Sequence, residues 1–245
     1  MNTSRLITAI GLACTLLISF AAVAQNAATK PATDQPPFPA AQAGKTVKIA
    51  VIGDGAARFG PPLEKLLGNG YQVKSFCTND HSILRTNLRC VWKRYESVKA
   101  EAYKPDVFIL MFEHAASRPN TWTHDAGRYV GDYKDFIARL KGKVPAAQVY
   151  ICLPPPLKPD CHYGVNAEQL TKGVLPAIRK VAAETKLPLI DTHTPLTANL
   201  DANVGGDGVF PTPEGAELMA AVIYKSLTGK EAPTAATQPA ATPPK

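Results

Sequence analysis

The chain has 245 residues, 45% of them hydrophobic, enough to bury one sizeable core. Its formal charge of +7 is scattered over short groups such as Lys93 with Arg94, Lys141 with Lys143, and Arg179 with Lys180. There is no basic stripe interleaved with aromatics, which argues against nucleic acid as a partner, and no Cys-x-x-Cys pair, which argues against zinc and thioredoxin-type redox chemistry.

Arg5 precedes an apolar run over residues 6–23, which ends in Ala22-Val23-Ala24. Basic, then apolar, then small-x-small is the order of a secretory signal peptide, expected over residues 1–24 with cleavage after Ala24. A lipoprotein anchor through Cys14 fits less well, because Gly11 stands where a bulky aliphatic is needed and the apolar run continues past Cys14. The mature chain is therefore expected to be secreted or periplasmic, with no membrane span. That compartment permits disulfides, and Cys77, Cys90, Cys152 and Cys161 remain. Sequence neighbours suggest the pairs Cys77–Cys90 and Cys152–Cys161, among the connectivities that four cysteines allow. Residues 25–44 and 230–245 are rich in Pro and Ala without apolar periodicity. Both read as extended, flexible spacers with no core to join, which leaves a folded unit at 45–229.

Inside that unit, residues 47–52 form a short β-branched run suited to burial on both faces. A helix is expected over 61–68, opened by two prolines and stopped by Gly68. Residues 71–76 alternate as an outer strand would, and 92–103 are amphipathic at helical spacing up to Pro105. A buried strand follows at 106–112, a helix at 130–140, and a third buried strand at 148–153, halted by Pro154, Pro155 and Pro156. Residues 165–184 read as a long helix bent near Gly173 and Pro176; 188–191 is the last strand and 213–227 the last helix. Such alternation predicts an α/β fold of three α/β/α layers: a flavodoxin-like, five-stranded parallel sheet of order 2-1-3-4-5, with ligand chemistry at the carboxyl ends of the strands. Residues 53–55, 77–82, 112–117 and 207–210 all fall at that end, around one cleft.

The block Val47-Lys-Ile-Ala-Val-Ile-Gly-Asp-Gly55 resembles the opening strand of the SGNH (GDSL-like) hydrolase superfamily, where Gly-Asp-Ser supplies the nucleophile. Residues 66–76, 104–112, 117–122, 149–156 and 189–196 resemble the family's following segments in order, and Asp207-Gly-Val-Phe-Pro-Thr-Pro-Glu-Gly215 resembles its closing Asp-Gly-x-His-Pro motif. The likeness is to the secreted carbohydrate and sialate O-acetylesterase branch. It implies the SGNH-hydrolase fold and an ester-hydrolysing ancestry.

Carried over residue by residue, the family's serine falls on Gly55 and its histidine on Phe210. The oxyanion glycine falls on Asp80 (within Phe76-Cys-Thr-Asn-Asp80) and the oxyanion asparagine on Ala115; only the orienting aspartate, Asp207, keeps its identity. Removing a nucleophile or its base costs about 10⁶-fold in turnover, and removing one oxyanion donor about 10²–10³-fold. The resemblance thus implies a degenerate member: a catalytically inactive pseudoenzyme with a binding role, toward a glycan, an acylated polysaccharide or the cell envelope, or a scaffolding role. The alternative is an active carbohydrate O-acetylesterase whose catalytic groups are relocated or misaligned.

Asp54, His81, Glu113, His114 and Trp122 are the candidate pocket residues. Asp54, Asp80, Glu113, His114 and Asp207 could together attract a cation, but Asp54 is expected to cap its turn and Asp80 to face solvent, so no metal and no cofactor are expected. Trp92 reads as core, while Trp122 suits sugar contact and packing equally. Ser82, Ser117, His124, His162 and His193 read as ordinary loop or surface residues.

Overall fold

The computed structural model describes residues 35–55, 57–79, 81–112 and 114–233. Five parallel strands, β1 (Val47–Asp54), β2 (Tyr71–Thr78), β3 (Val107–Met111), β4 (Gln148–Cys152) and β5 (Leu189–Ile190), form one sheet of order β2-β1-β3-β4-β5. This is the predicted order and the SGNH-hydrolase fold. The β1 side chains alternate between two cores, Ala50 and Ile52 on one face of the sheet and Ile49 and Val51 on the other. β3 and β4 are buried along their whole length. β2, at the edge, keeps only Phe76 fully inside. Gly53 is obligatory, because a Cβ there would overlap the Met111 carbonyl across the β1–β3 pair.

On one face, α1 (Gly60–Leu67) and α8 (Pro213–Thr228) pack through Leu63, Met219, Ala220 and Ile223. On the other lie α2 (Tyr95–Ala102), α3 (Pro119–Lys143) and α5 (Leu175–Thr185), with Tyr129, Tyr133, Phe136 and Ile178 in that core. Thr212 caps α8 by accepting the Gly215 N–H at 3.0 Å. The long helix expected over 165–184 is a succession of α4 (Ala167–Gln169), a π turn (Leu170–Val174) and α5. Pro176 has no N–H and its ring crowds the preceding turn, so the wider π turn falls where the bend was expected. The helix expected over 92–103 is broken. Val91–Lys93 form a 3₁₀ turn, Arg94 is extended, and α2 starts at Tyr95. The buried Ser97 hydroxyl, at 2.8 Å from the carbonyls of both Val91 and Arg94, holds the break. Short helices α6 (Thr194–Thr197) and α7 (Leu200–Asn203) link β5 to the segment before α8.

The stretch read as a free spacer does join the core over residues 35–44. β5 is so short that the N–H and C=O of Val149 on β4 have no strand partner on that side. The Gln35 carboxamide takes both, at 2.6 and 2.9 Å. Gln148 Nε2 donates to the carbonyls of Pro36 and Pro37, and Phe38 stacks on Tyr71 with ring centres 5.7 Å apart. The signal-peptide expectation at 1–24, the rest of the spacer at 25–34 and the tail at 234–245 lie outside the described residues. No helix among the described residues is long and apolar enough to cross a membrane.

The expected disulfides are not formed: Cys77, Cys90, Cys152 and Cys161 are free thiols. Cys152 belongs to the core under α1 and α8, whereas Cys161 packs on the opposite core, so the sheet divides that pair. Cys77 Sγ donates to the Val51 carbonyl at 3.6 Å, while Cys90 opens the 3₁₀ turn. Burial pushes the Cys77 and Cys152 thiols far up from their ordinary value.

Candidate functional site

The carboxyl ends of β1, β2 and β3 and the segment before α8 surround a cavity of about 220 Å³, lined by Asp54, Gly55, Asn79, Arg89, His114, Ala115, Tyr163, Val165, Val209 and Phe210. Asp54 is buried at the end of β1, and its Oδ2 accepts the His114 backbone N–H at 2.9 Å. That bond ties the β1 turn to the loop after β3. Next to it, the Ser117 hydroxyl donates to the His114 carbonyl at 2.7 Å, tightening the 3₁₀ turn Ala115–Ser117 and burying Ala115.

The two expected positions at the heart of the cleft do meet. A Cβ built on Gly55 would lie 3.1 Å from Phe210 Cε1 and would overlap Asn79 Oδ1. The Phe210 ring is held between neighbours: the Arg58 guanidinium lies 4.6 Å from its centre and the Tyr163 ring 5.8 Å away. Asp207 does not line the cavity. Its Oδ1 accepts the N–H groups of Val209 and Phe210 at 2.8 and 3.0 Å, so the carboxylate shapes the turn that presents Phe210.

His114 Nε2 lies 3.1 Å from the Pro155 carbonyl. A carbonyl can only accept, so Nε2 carries a proton, while Nδ1 is buried and without a hydrogen-bond partner among the described residues. His193 donates from Nδ1 to the next carbonyl along, Pro154, at 3.0 Å, and burial lowers its pKa below the ordinary 6.5. Both imidazoles therefore clamp the proline loop after β4.

Of the candidates read from sequence, Asp54, Gly55, His114, Ala115 and Phe210 line the cavity. His81 does not. It is wholly buried beneath the turn, 3.1 Å from the Gly53 carbonyl through Nδ1 and 3.8 Å from Glu96 through Nε2, and burial lowers its pKa. Trp122 does not either. Its indole packs on Tyr129, with ring centres 5.4 Å apart, and on Gly173 of the π turn, so packing accounts for it. Trp92, read as core, packs against the core only half-buried, with its indole N–H on the Ile83 carbonyl. Asp80 and Glu113 lie outside the described residues. Among the described residues no three His, Cys, Asp or Glu side chains are grouped to hold a metal ion.

Sequence reasoning missed Asn79, Arg89, Tyr163, Val165 and Val209. Asn79 stands inside a block already singled out. Arg89 and Tyr163 come from long loops whose path no periodicity encodes. Among the described lining residues there is no serine, threonine or cysteine. The polar groups they offer are a carboxylate, an imidazole, a carboxamide, a guanidinium and a phenol.

The GDSL-like lipase/acylhydrolase family model matches residues 21–223. An acetylxylan esterase of Xylanibacter ruminicola is 27% identical over 210 residues, covering 74% of this chain and 43% of that protein. The chain thus spans less than half the length of that relative. Among solved structures, a carbohydrate acetylesterase from Sinorhizobium meliloti superposes with a TM-score of 0.60 at 14% identity, over 74% of this chain and 98% of that one. The lipase/acylhydrolase from Enterococcus faecalis gives 0.57 at 16%, over 76% and 98%. An acetyl xylan esterase gives 0.59 at 18%, over 74% and 100%. At these identities the structural likeness speaks for the fold alone. The family model, however, runs from ahead of β1 into α8, and the chain belongs to the GDSL-like lipase/acylhydrolase family.

Proposed function

We propose that this chain binds carbohydrate in the family's cleft without hydrolysing it. The observation that carries this reading is the packing at Gly55. The position that resembles the family's nucleophile has no side chain, the tip of the Asn79 carboxamide lies where a side chain there would start, and Phe210 beside it falls on the position that resembles the family's proton acceptor. Without a nucleophile and its base, covalent acyl transfer has no starting point. The likeness to an acetylxylan esterase suggests xylan-type chains, acetylated or plain, as the ligand class. Action outside the cytoplasm is part of the same proposal and is supported by the order of Arg5, the apolar run and Ala22-Val23-Ala24.

The test is acetate release from acetylated xylan and from a small aryl acetate, alongside sedimentation with insoluble xylan. Expected are no turnover above buffer and retention on xylan. One observation favours a rival esterase with relocated chemistry: the His114 Nδ1, without a partner among the described residues, belongs to a side chain that lines the same cavity as Asp54. Turnover that disappears in His114→Ala would establish that rival and overturn the proposal.

A further inference from the structure

We propose that Tyr163, with Phe210 beside it, is a stacking face for a pyranose ring at the mouth of the cavity, and that the Asn79 carboxamide and Arg89 guanidinium bond that ring's hydroxyls. The inference rests on the carbohydrate-binding reading above and names the contact that would deliver it. Four large hydrophobic side chains among the described residues are strongly exposed: Leu88, Tyr95, Val98 and Tyr163. Of these, Tyr163 alone lines the cavity, with 58% of its surface in solvent.

Its backbone is strained as well. Tyr163 has φ +63°, the left-handed region that bulky residues avoid, and Gly164 follows at +68°. The Arg118 Nε–H holds the Tyr163 carbonyl at 3.1 Å and so fixes the strained turn. Such conformations persist where the surroundings over-determine them, and they cluster at ligand clamps. A glycine would take this turn freely, yet the chain carries a large aromatic here and leaves it in water.

The shape of the site matches one ligand chemistry. A pyranose has an apolar C–H face and a polar hydroxyl rim. The Tyr163 ring, inclined 53° to Phe210 with centres 5.8 Å apart, offers a wall for the face. Asn79 and Arg89 lie on the same cavity, and the Asn79 side chain has no hydrogen-bond partner among the described residues. An acyl chain would find these polar groups opposed to it; a sugar would use them.

Calorimetric titration of the full chain with unacetylated xylohexaose tests this without any ester chemistry. Tyr163→Ala and Tyr163→Gly should each bind about tenfold more weakly, equivalent to about 1.4 kcal/mol, and Tyr163→Phe within about twofold of the parent. Tyr163→Gly should also melt at the same or a higher temperature, because glycine relieves the left-handed turn. Lower affinity with an undiminished melting point is the signature of a ligand platform. Unchanged affinity in Tyr163→Gly, or affinity lost together with thermal stability, would assign the ring a structural role and overturn the platform alone. Absence of binding by the parent chain would overturn the carbohydrate reading, and the platform with it.

Discussion

A side chain at Gly55 would meet two neighbours, the rotatable tip of Asn79 and the edge of Phe210. On the binding-only proposal, introducing a serine and a histidine there should not by itself create ester hydrolysis. Gly55→Ser combined with Phe210→His is expected to leave acetate release at the level of buffer, since Ala115 still offers no side-chain donor to an oxyanion. Clear turnover in a coupled acetate assay would show that the remaining groups suffice.

Gly53 is less forgiving than Gly55, because the overlapping atom is a backbone carbonyl and cannot rotate aside. Gly53→Ala should cost about 4 kcal/mol or more in a denaturant titration, within reach of the whole stability of a domain. His81 and His193 carry a pH dependence. Burial lowers both pKa values below 6.5, so the unfolded chain takes up protons that the folded chain refuses. Their contribution is complete above the unfolded value and is lost as pH falls below it toward the folded value. Unfolding free energy should therefore fall between about pH 7.5 and about pH 5, and less steeply in a His81→Gln variant. An equal slope in that variant would show that His81 does not carry it.

Elements differ in how openly the sequence declares them. β1, β3 and β4 are continuous apolar runs because both faces of the sheet are covered, and α3 and α8 keep a helical period over several turns. α2 misleads, because Trp92 falls in phase with the helix although the Ser97 hydroxyl has already broken it. The segment at 35–44 misleads differently: Pro and Ala dominate its composition, while a few individual groups, among them the Gln35 carboxamide, the Pro36 and Pro37 carbonyls and the Phe38 ring, make the contacts that matter. Composition averages over a window, and packing depends on single side chains. Phe38→Ala should lower stability by about 1–2 kcal/mol, as loss of a half-buried stacked ring does and loss of a spacer residue does not. Chemical denaturation of that variant would distinguish the two.

For the molecule as a whole, the sheet order and the position of the cleft were legible because βα alternation leaves few topologies and places ligands at the strand carboxyl ends. The floor of the site was legible through Asp54, Gly55, His114, Ala115 and Phe210, which stand directly after strands or in the closing block. Its rim was not, because Arg89 and Tyr163 reach it on loops. The cysteine pairing was misread for a related reason, since closeness along the chain says nothing about which side of the sheet a residue occupies. With four free thiols, added reductant should leave the melting temperature unchanged, and a drop would reveal a disulfide.

The clasp that Gln35 and Phe38 make has a consequence for display. It closes over the amino ends of β4 and β2, where Pro37, Phe38 and Tyr71 line a hollow together with Leu227 in the last turn of α8 and Lys230 just beyond it. Both ends of the described chain thus leave from the pole opposite the cleft. Among the described residues, neither end of the chain lines the cavity, so its mouth opens away from both.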